Sequence, residues 1–495
     1  MNKRIRRALF LLRQRISPQL LTFFLILIIG GITLFIRPII GVADNGDYFR
    51  IMSSNDLYHL PVEEEDKILG YFNKDYGIYE YHNESETLLI STQSFFIKLA
   101  LGINKIFYSN KIFDIRFLGG LLLFIHSIAG YLLVKVFTSY LKKERLKYLI
   151  SLLYVVIFCD TGYISYFNSF YGEGVVVPTF LLSVGIILYI IRFNKINLLN
   201  IILFSCISLL FFGAKQQLAP IGILIAILIL KVAFSTKDKI IRAGSIILSI
   251  IFVVSAVFFY KSIKGDFDYI NRFHAMNRGV LLYENDSEKI LEYFGIEGSY
   301  SLLEGEIFYE ETPSISPYDE RLLENFYNKY SIGSIIKYYV THPSAFKKVL
   351  DMGFSKAYEI RPEAMGNFEK MEGKEFGAKS NFFVLWSTLK KFIMPKGLLF
   401  AILYSGVYFV YSFKRYKKAL NNLDNKSILI EDCFIYVYLA GLSQIFISVI
   451  GAGDADLSKH EFLFNLSFDL ILINFIVQMI KNRGKEVNKG WMIIK

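Results

Sequence analysis

The feature that most limits how this chain folds is its series of apolar runs, most of them roughly 17 to 25 residues, the length that crosses a hydrocarbon core about 30 Å thick. Inside a bilayer the backbone has no water to bond to, so each run must close its hydrogen bonds within a helix. Ten runs can be placed, at 19–37, 115–139, 148–160, 175–192, 197–213, 218–234, 243–260, 397–413, 433–450 and 461–480. The third is short and needs the residues after it to complete a crossing. The first is too long for a removable signal peptide and lacks a small-residue cleavage site. With 54% hydrophobic residues in 495, the chain reads as an all-α polytopic membrane protein with about ten spans.

Basic residues orient the spans. The start, MNKRIRRALFLLRQR, is strongly basic and is expected in the cytoplasm. Alternation then puts 141–147, 192–195, 235–242, 414–432 and 481–495 on the same side. Together with residues 1–18 these carry 25 of the 55 Lys/Arg and 6 of the 44 Asp/Glu. The net charge of +11 is therefore a matter of topology and implies no nucleic-acid partner. Residues 88–107, interrupted by Gln93, Lys98 and Lys105, read as an amphipathic surface helix rather than a span.

The resulting plan has a cytoplasmic N-terminus (1–18) and seven spans over 19–260, with an external loop at 38–114. An external, mainly helical segment follows at 261–396, then three spans over 397–480 and a cytoplasmic tail (481–495). Helix starts are legible in the external segment at Asp286-Ser287-Glu288, with a stop at Gly295, and at Ser316-Pro317 with Asp319 and Glu320. THPSAFKKVLDMGFSKAYEI reads as a further helix. Cys159, Cys206 and Cys433 lie in or beside apolar runs without ligand spacing and are expected as buried small hydrophobes.

Five compact polar clusters fall beside the outer ends of spans: ADNGDYFR (43–50), YFNSFYGEG (166–174), AKQQ (214–217), NRFHAMNRG (271–279) and GAGDADLSKH (451–460). Charge at membrane depth is costly and tends to line a site. Asp44 and Asp47 are candidate catalytic carboxylates, with Gly46 free to turn between them. An Asx turn capping a helix near Tyr48 explains them equally well. Lys215, Arg272, His274, Arg278, Lys459 and His460 suit a phosphate. Asn168, Tyr171, Glu173, Gln216, Gln217, Asp454 and Asp456 suit a sugar, and the aspartates can instead share a divalent ion. Snorkelling, interfacial anchoring and helix capping are the plain alternatives for these groups. Lys459 and His460 near a helix N-terminus oppose its dipole unless an anion joins them. Walker, GxGxxG and HExxH motifs are absent from the sequence.

These parts are consistent with glycosyl transfer at the outer face. The donor would be a polyprenyl-phosphate sugar, the acceptor an envelope glycan or lipid-linked molecule, and the anomeric centre would invert. Two other classes stand beside it. A ligase or polymerase of lipid-linked polysaccharide would lean on Arg272, His274 and Arg278. A glycan or lipid transporter would need polar groups at mid-membrane and repeated halves.

The basic N-terminus, single span and acid-bearing first external loop resemble the GT-C class of integral membrane glycosyltransferases. GDYFRIM (46–52) is similar to the Gly-Asp-Tyr stretch of the eukaryotic dolichyl-phosphate-glucose-dependent glucosyltransferases, where the aspartate is regarded as the base. DNGD, YFNSFYGE, KQQ, NRFHA and GDADLSKHEFLFNLSFDL together resemble bacterial glycan-biosynthesis hexose transferases of the WsfD type. The resemblance implies a GT-C-like fold, surface-glycan assembly in a bacterial cytoplasmic membrane, and Asp47 as the base with Asp44 in support. The first loop lacks the adjacent Asp-Glu pair of some GT-C enzymes, so no metal requirement is implied.

Overall fold

The computed structural model describes residues 16–493 apart from 62, 82–87, 263–264, 284 and 310–311. The basic stretch up to residue 15 lies outside them. Ten helices follow the ten apolar runs: α1 (Pro18–Phe35), α2 (Arg116–Thr138), α3 (Glu144–Phe158), α4 (Gly172–Arg192), α5 (Leu198–Phe212), α6 (Ile221–Ser235), α7 (Lys239–Lys261), α8 (Leu398–Asn421), α9 (Asn425–Ala452) and α10 (Phe462–Ile493).

Six of the described helices are long and apolar enough to cross a membrane, and eight if each of two bent pairs is one span. One bent pair joins α3 to Thr161–Asn168 at 52°, so the short third run does have a continuation. The other sets Leu385–Ile393 at 108° to α8. The remaining two, α5 and α6, have 15 residues each and rise about 22 Å. The chain is thus a polytopic, all-helical membrane protein in its spanning part.

The helices alternate in direction. At one end Tyr148 donates to Ile16 O (2.8 Å), Arg415 pairs with Glu431 (2.7 Å) and Lys231 pairs with Asp432. At the other end Lys215 meets Glu173 (2.6 Å) and Gln217 reaches Ser448 (3.2 Å). α4 is apolar on every side and buried along nearly its whole length, as such a helix must be. α7 instead turns Ile250, Val254 and Phe258 outward, toward lipid. Cys159 and Cys433 are buried, but Cys206 is exposed on the outer face of α5. The sequence could not separate these cases, because a lipid-facing position is as apolar as a core one.

The loop after α1 holds the expected amphipathic helix at Gln93–Phe107, with Phe96, Ile97 and Ala100 buried and Phe95, Leu99 and Ile106 exposed. It also holds a three-stranded antiparallel sheet that the sequence reading lacked. Its strands are β1 (Leu57–His59), β2 (Asp75–Ile78) and β3 (Ile112–Asp114), in that order. Strands of three or four residues are too short for alternation to show. Register pairs Tyr58 with Gly77 and Tyr76 with Phe113.

In the segment 261–396 the first of the two expected helices begins at its expected cap, whereas the second begins at Asp319, three residues beyond the Ser316-Pro317 start read from the sequence. Asp286 caps Ser287–Tyr293, Asp319 caps Glu320–Asn325, and Pro343–Lys356 is helical. The part up to Tyr358 shares an apolar core with Ile445 and Val449 of α9 and Phe464 and Phe468 of α10. Residues 366–370 instead run back along the first loop. Asn367 exchanges backbone and side-chain bonds with Gly41 (3.2 and 2.8 Å), Ala43 N donates to Gly366 O (3.0 Å), and Phe72 N donates to Phe368 O (2.9 Å). The two external pieces thus interlock over the end of α1. Helix Leu385–Ile393 is tied to α10 by Lys390 and Asp469, both fully buried and 2.6 Å apart.

Candidate active site at one end of the helix bundle

The loop after α1 settles the two acids by geometry. Asp44 Oδ1 accepts from Gly46 N (2.8 Å) and Tyr48 N (3.1 Å), and Oδ2 lies 3.3 Å from His59 Nε2. Asp44 is therefore the Asx-turn residue, and Gly46, at φ +96°, makes the turn possible. Asp47 precedes the helix Tyr48–Ser53 but caps none of its amides. Its carboxylate is left to face Arg50 (3.1 Å) and Lys459, with which it is in direct contact.

Lys459 comes from the short helix Leu457–His460, wedged between α9 and α10. Its ammonium also lies 3.1 Å from Asp456 and 4.9 Å from the centre of the Tyr171 ring. Asn45 Nδ2 donates to Asp456 Oδ2 (3.1 Å), so the loops 43–50 and 451–460 are joined twice. Tyr171, at the start of α4, accepts from Asn45 N (2.7 Å) and donates to Ala43 O (2.9 Å). Asp456 holds this place at φ +52°, a conformation that aspartate tolerates better than most residues.

Beside this contact lies a recess with about 210 Å³ of space between its atoms, mouth included, lined by Glu173, Lys215, Gln217, Gln444, Lys459 and His460 among others. Lys215 pairs with Glu173 at 2.6 Å. His460 Nδ1 meets Gln217 Oε1 at 3.0 Å, while Gln217 Nε2 donates to His460 O (2.8 Å). Gln444 is wholly buried in α9, and its Oε1 has no partner. It was missed in the sequence, where the only signal was an amide inside the ninth apolar run. A buried acceptor left open costs free energy unless a ligand hydroxyl fills it. Gln444→Leu is accordingly expected to weaken binding of a hydroxyl-bearing ligand about tenfold without unfolding the protein; an unchanged apparent affinity would remove Gln444 from the site.

The charges are mutually held. Burial raises the Asp47 carboxyl, but Lys459 and Arg50 outweigh it and hold it well below the usual 3.8. Burial lowers the Lys459 ammonium, yet Asp456 and Asp47 more than reverse this, so it stays charged. Burial and the nearby Lys215 push the His460 imidazole down to about 3, which leaves it neutral at physiological pH.

The other proposed phosphate ligands serve elsewhere. Arg278 clamps Asp454 through two bonds (2.5 and 2.9 Å) and donates to Gly305 O (2.7 Å), while Tyr283 donates to Asp454 (2.9 Å). Arg272 meets Asp268 at 2.8 Å and Tyr327 O at 2.9 Å. His274 Nε2 accepts from Phe308 N (2.9 Å), and burial with Arg278 lowers it to about 4. These three hold the segment between α7 and α8 together rather than face the recess. Asn168 donates to Leu34 O (3.0 Å) and Ile40 O (2.9 Å), bracing the end of α1, and Gln216 donates to Ser262 (3.2 Å). No group of three or more potential metal-ligating side chains exists among the described residues, so Asp454 and Asp456, which take different partners, do not form a shared ion site.

Gly453 joins the segment between α7 and α8 to this loop. At φ +61° its Cα carries no side chain where a Cβ would stand 2.4 Å from the backbone carbon of Arg278. Gly453→Ala is expected to part the Arg278–Asp454 clamp and lower the melting temperature by several degrees in a thermal-unfolding scan; unchanged melting would count against that contact.

Comparison with known proteins gives a family but no activity. The chain is 24% identical to the uncharacterized protein YfdI of Escherichia coli (strain K12) over 382 residues, 74% of this chain and 77% of that protein. No solved structure matches it. Over residues 2–491 it matches the family described as the YfdI N-terminal transmembrane domain. A membrane protein of many spans, it belongs to that family.

Proposed function

We propose that the protein is a GT-C-type glycosyltransferase that moves a sugar, a hexose by family resemblance, from a polyprenyl-phosphate donor to an envelope acceptor. It would act at the outer face of a bacterial cytoplasmic membrane, with both termini inside. The observation that carries this reading is Asp47: a carboxylate relieved of capping duty, touching a buried lysine, beside a polar recess at the end of a lipid-facing bundle.

Asp47 takes the proton from the acceptor hydroxyl as that oxygen attacks the anomeric carbon. The bond from that carbon to the phosphate oxygen breaks, and polyprenyl phosphate leaves with the electron pair. Lys459 offsets the charge that grows on the leaving phosphate. Gln444, Gln217 and neutral His460 offer acceptors and donors to sugar hydroxyls. Lys459 holds Asp47 ionised and weakly basic. A phosphate that draws Lys459 toward itself returns basicity to Asp47 when the acceptor needs it.

The pH dependence tests this. Asp47 works ionised, so activity falls as pH drops through its pKa. For kcat/KM, which reports the free enzyme, no acid limb from Asp47 is expected above about pH 4. Lys459→Met leaves the burial and removes the cation, so the limb should move up by about a unit or more, with a weaker donor KM. A limb that stays in place would dissociate the two residues.

A further inference from the structure

A second recess, with about 230 Å³ of space mouth included, lies between the loop after α1, the turn after α3 and the chain around 361–379. Val42, Ser165, Tyr166, Arg361, Met365 and Lys379 are among its lining. Arg361 Nη2 donates to Ser380 O (2.6 Å) and approaches Asn367 Oδ1 (3.4 Å), and Lys379 Nζ donates to Pro362 O. Among the described residues no carboxylate lies within 4.0 Å of either cation. Asp160 acts on Arg361 from further off but spends its oxygens on Gly162 N (2.8 Å) and Ser387 N (2.9 Å). Glu363 and Glu359 act on Lys379 only at a distance.

Two cations that share one partly buried recess without an acid are unfavourable unless an anion joins them. Burial, and after it the neighbouring Arg361, push the Lys379 ammonium down to about 8. The segment carrying both cations leads into the helix Leu385–Ile393, which turns Leu385, Phe392 and Ile393 outward, with Phe382 exposed just before it. An exposed apolar edge beside a cationic recess suits an anion borne on a lipid. Met365, whose sulfur lies 2.9 Å from the Tyr171 hydroxyl oxygen, and Val42 form a wall shared with the Asp47 site.

We propose that Arg361 and Lys379 form a second binding site, for the phosphate of a lipid, on the far side of the wall behind Asp47 and Lys459. The lipid is either a polyprenyl-phosphate carrier or a phospholipid of the surrounding bilayer. The carrier assignment rests on the glycosyl-transfer reading, whereas the site itself does not.

The test uses the full chain, purified in detergent and offered undecaprenyl phosphate, phosphatidylglycerol or phosphatidylcholine, with retained lipid measured by native mass spectrometry. The wild type is expected to retain a phosphate-monoester or anionic lipid over phosphatidylcholine. Arg361→Gln/Lys379→Gln is expected to lose at least about tenfold in that affinity, and Lys379→Gln alone to lose less. Preference for undecaprenyl phosphate identifies the carrier, and equal retention of phosphatidylglycerol identifies the bilayer; both support the site. Wild-type retention by the double variant, with unchanged elution and melting, overturns it. If the double variant does not fold, Lys379→Gln, whose side chain holds only one backbone carbonyl, decides in its place: reduced retention supports the site and wild-type retention overturns it. Sugar transfer by Asp47→Asn is scored apart from phosphatidylglycerol retention by the Arg361 and Lys379 variants, so loss of the transfer reading and loss of this site are read separately.

Discussion

Asp47→Asn is expected to reduce sugar transfer on the order of 10²–10⁴-fold, the range for removal of a general base. Membrane insertion and melting should change little, because this side chain caps no helix amide. The neutral amide keeps the shape of the carboxylate but cannot take the acceptor's proton. Asp44→Asn is the informative control. An Asn oxygen can still accept from Gly46 N and Tyr48 N, so the turn survives and the loss should be far smaller. The measurement is transfer from a polyprenyl-phosphate sugar by membranes containing each variant, with glycan modification in cells as a second readout. Full modification by Asp47→Asn would sink the mechanism. Equal losses in both variants would mean that the loop's shape matters and the base does not.

The second large effect concerns stability. Lys390 and Asp469 are both wholly buried and 2.6 Å apart. Asp469 also accepts from Tyr163 OH (2.6 Å) and Trp386 Nε1 (2.8 Å), and Lys390 donates to Asn465 O (3.2 Å). Either charge alone would be stranded in an apolar surround. Asp469→Asn or Lys390→Met should therefore cost about 3–5 kcal/mol, the usual penalty for breaking a buried pair. Lys390→Met/Asp469→Asn should recover much of it, since no unpaired charge remains. Thermal unfolding in detergent gives the ranking, and protease cleavage near residue 393 reports release of the helix Leu385–Ile393. Single variants as stable as the wild type would show that the pair is not what fixes that helix.

Much of the spanning architecture was legible because the bilayer demands it. A chain has few ways to bury a long apolar run with its amides satisfied, and all ten runs correspond to helices. The cap at Asp286 was legible for a similar reason, since a cap is a local bond between neighbours in sequence; the next helix starts at Asp319 rather than at Ser316, because both residues suit a cap. The short strands of the first loop were not. Tyr58 has meaning as a strand residue only opposite Gly77, which lies far along the chain.

The site divides along the same line. By itself the sequence determined which chemical groups were present and that they neighboured the ends of apolar helices, because both follow from local composition. It could not separate Asp44 from Asp47 on physical grounds, for either acid suits a turn or a proton transfer. Tertiary structure decided that by supplying partners: two backbone amides for Asp44, and a lysine 412 residues away for Asp47. It also decided that Arg278 clamps Asp454 while, among the described residues, no carboxylate lies within 4.0 Å of Arg361 or Lys379. Whether a charge is neutralised depends on distance through space, which falls outside what neighbours in sequence can specify.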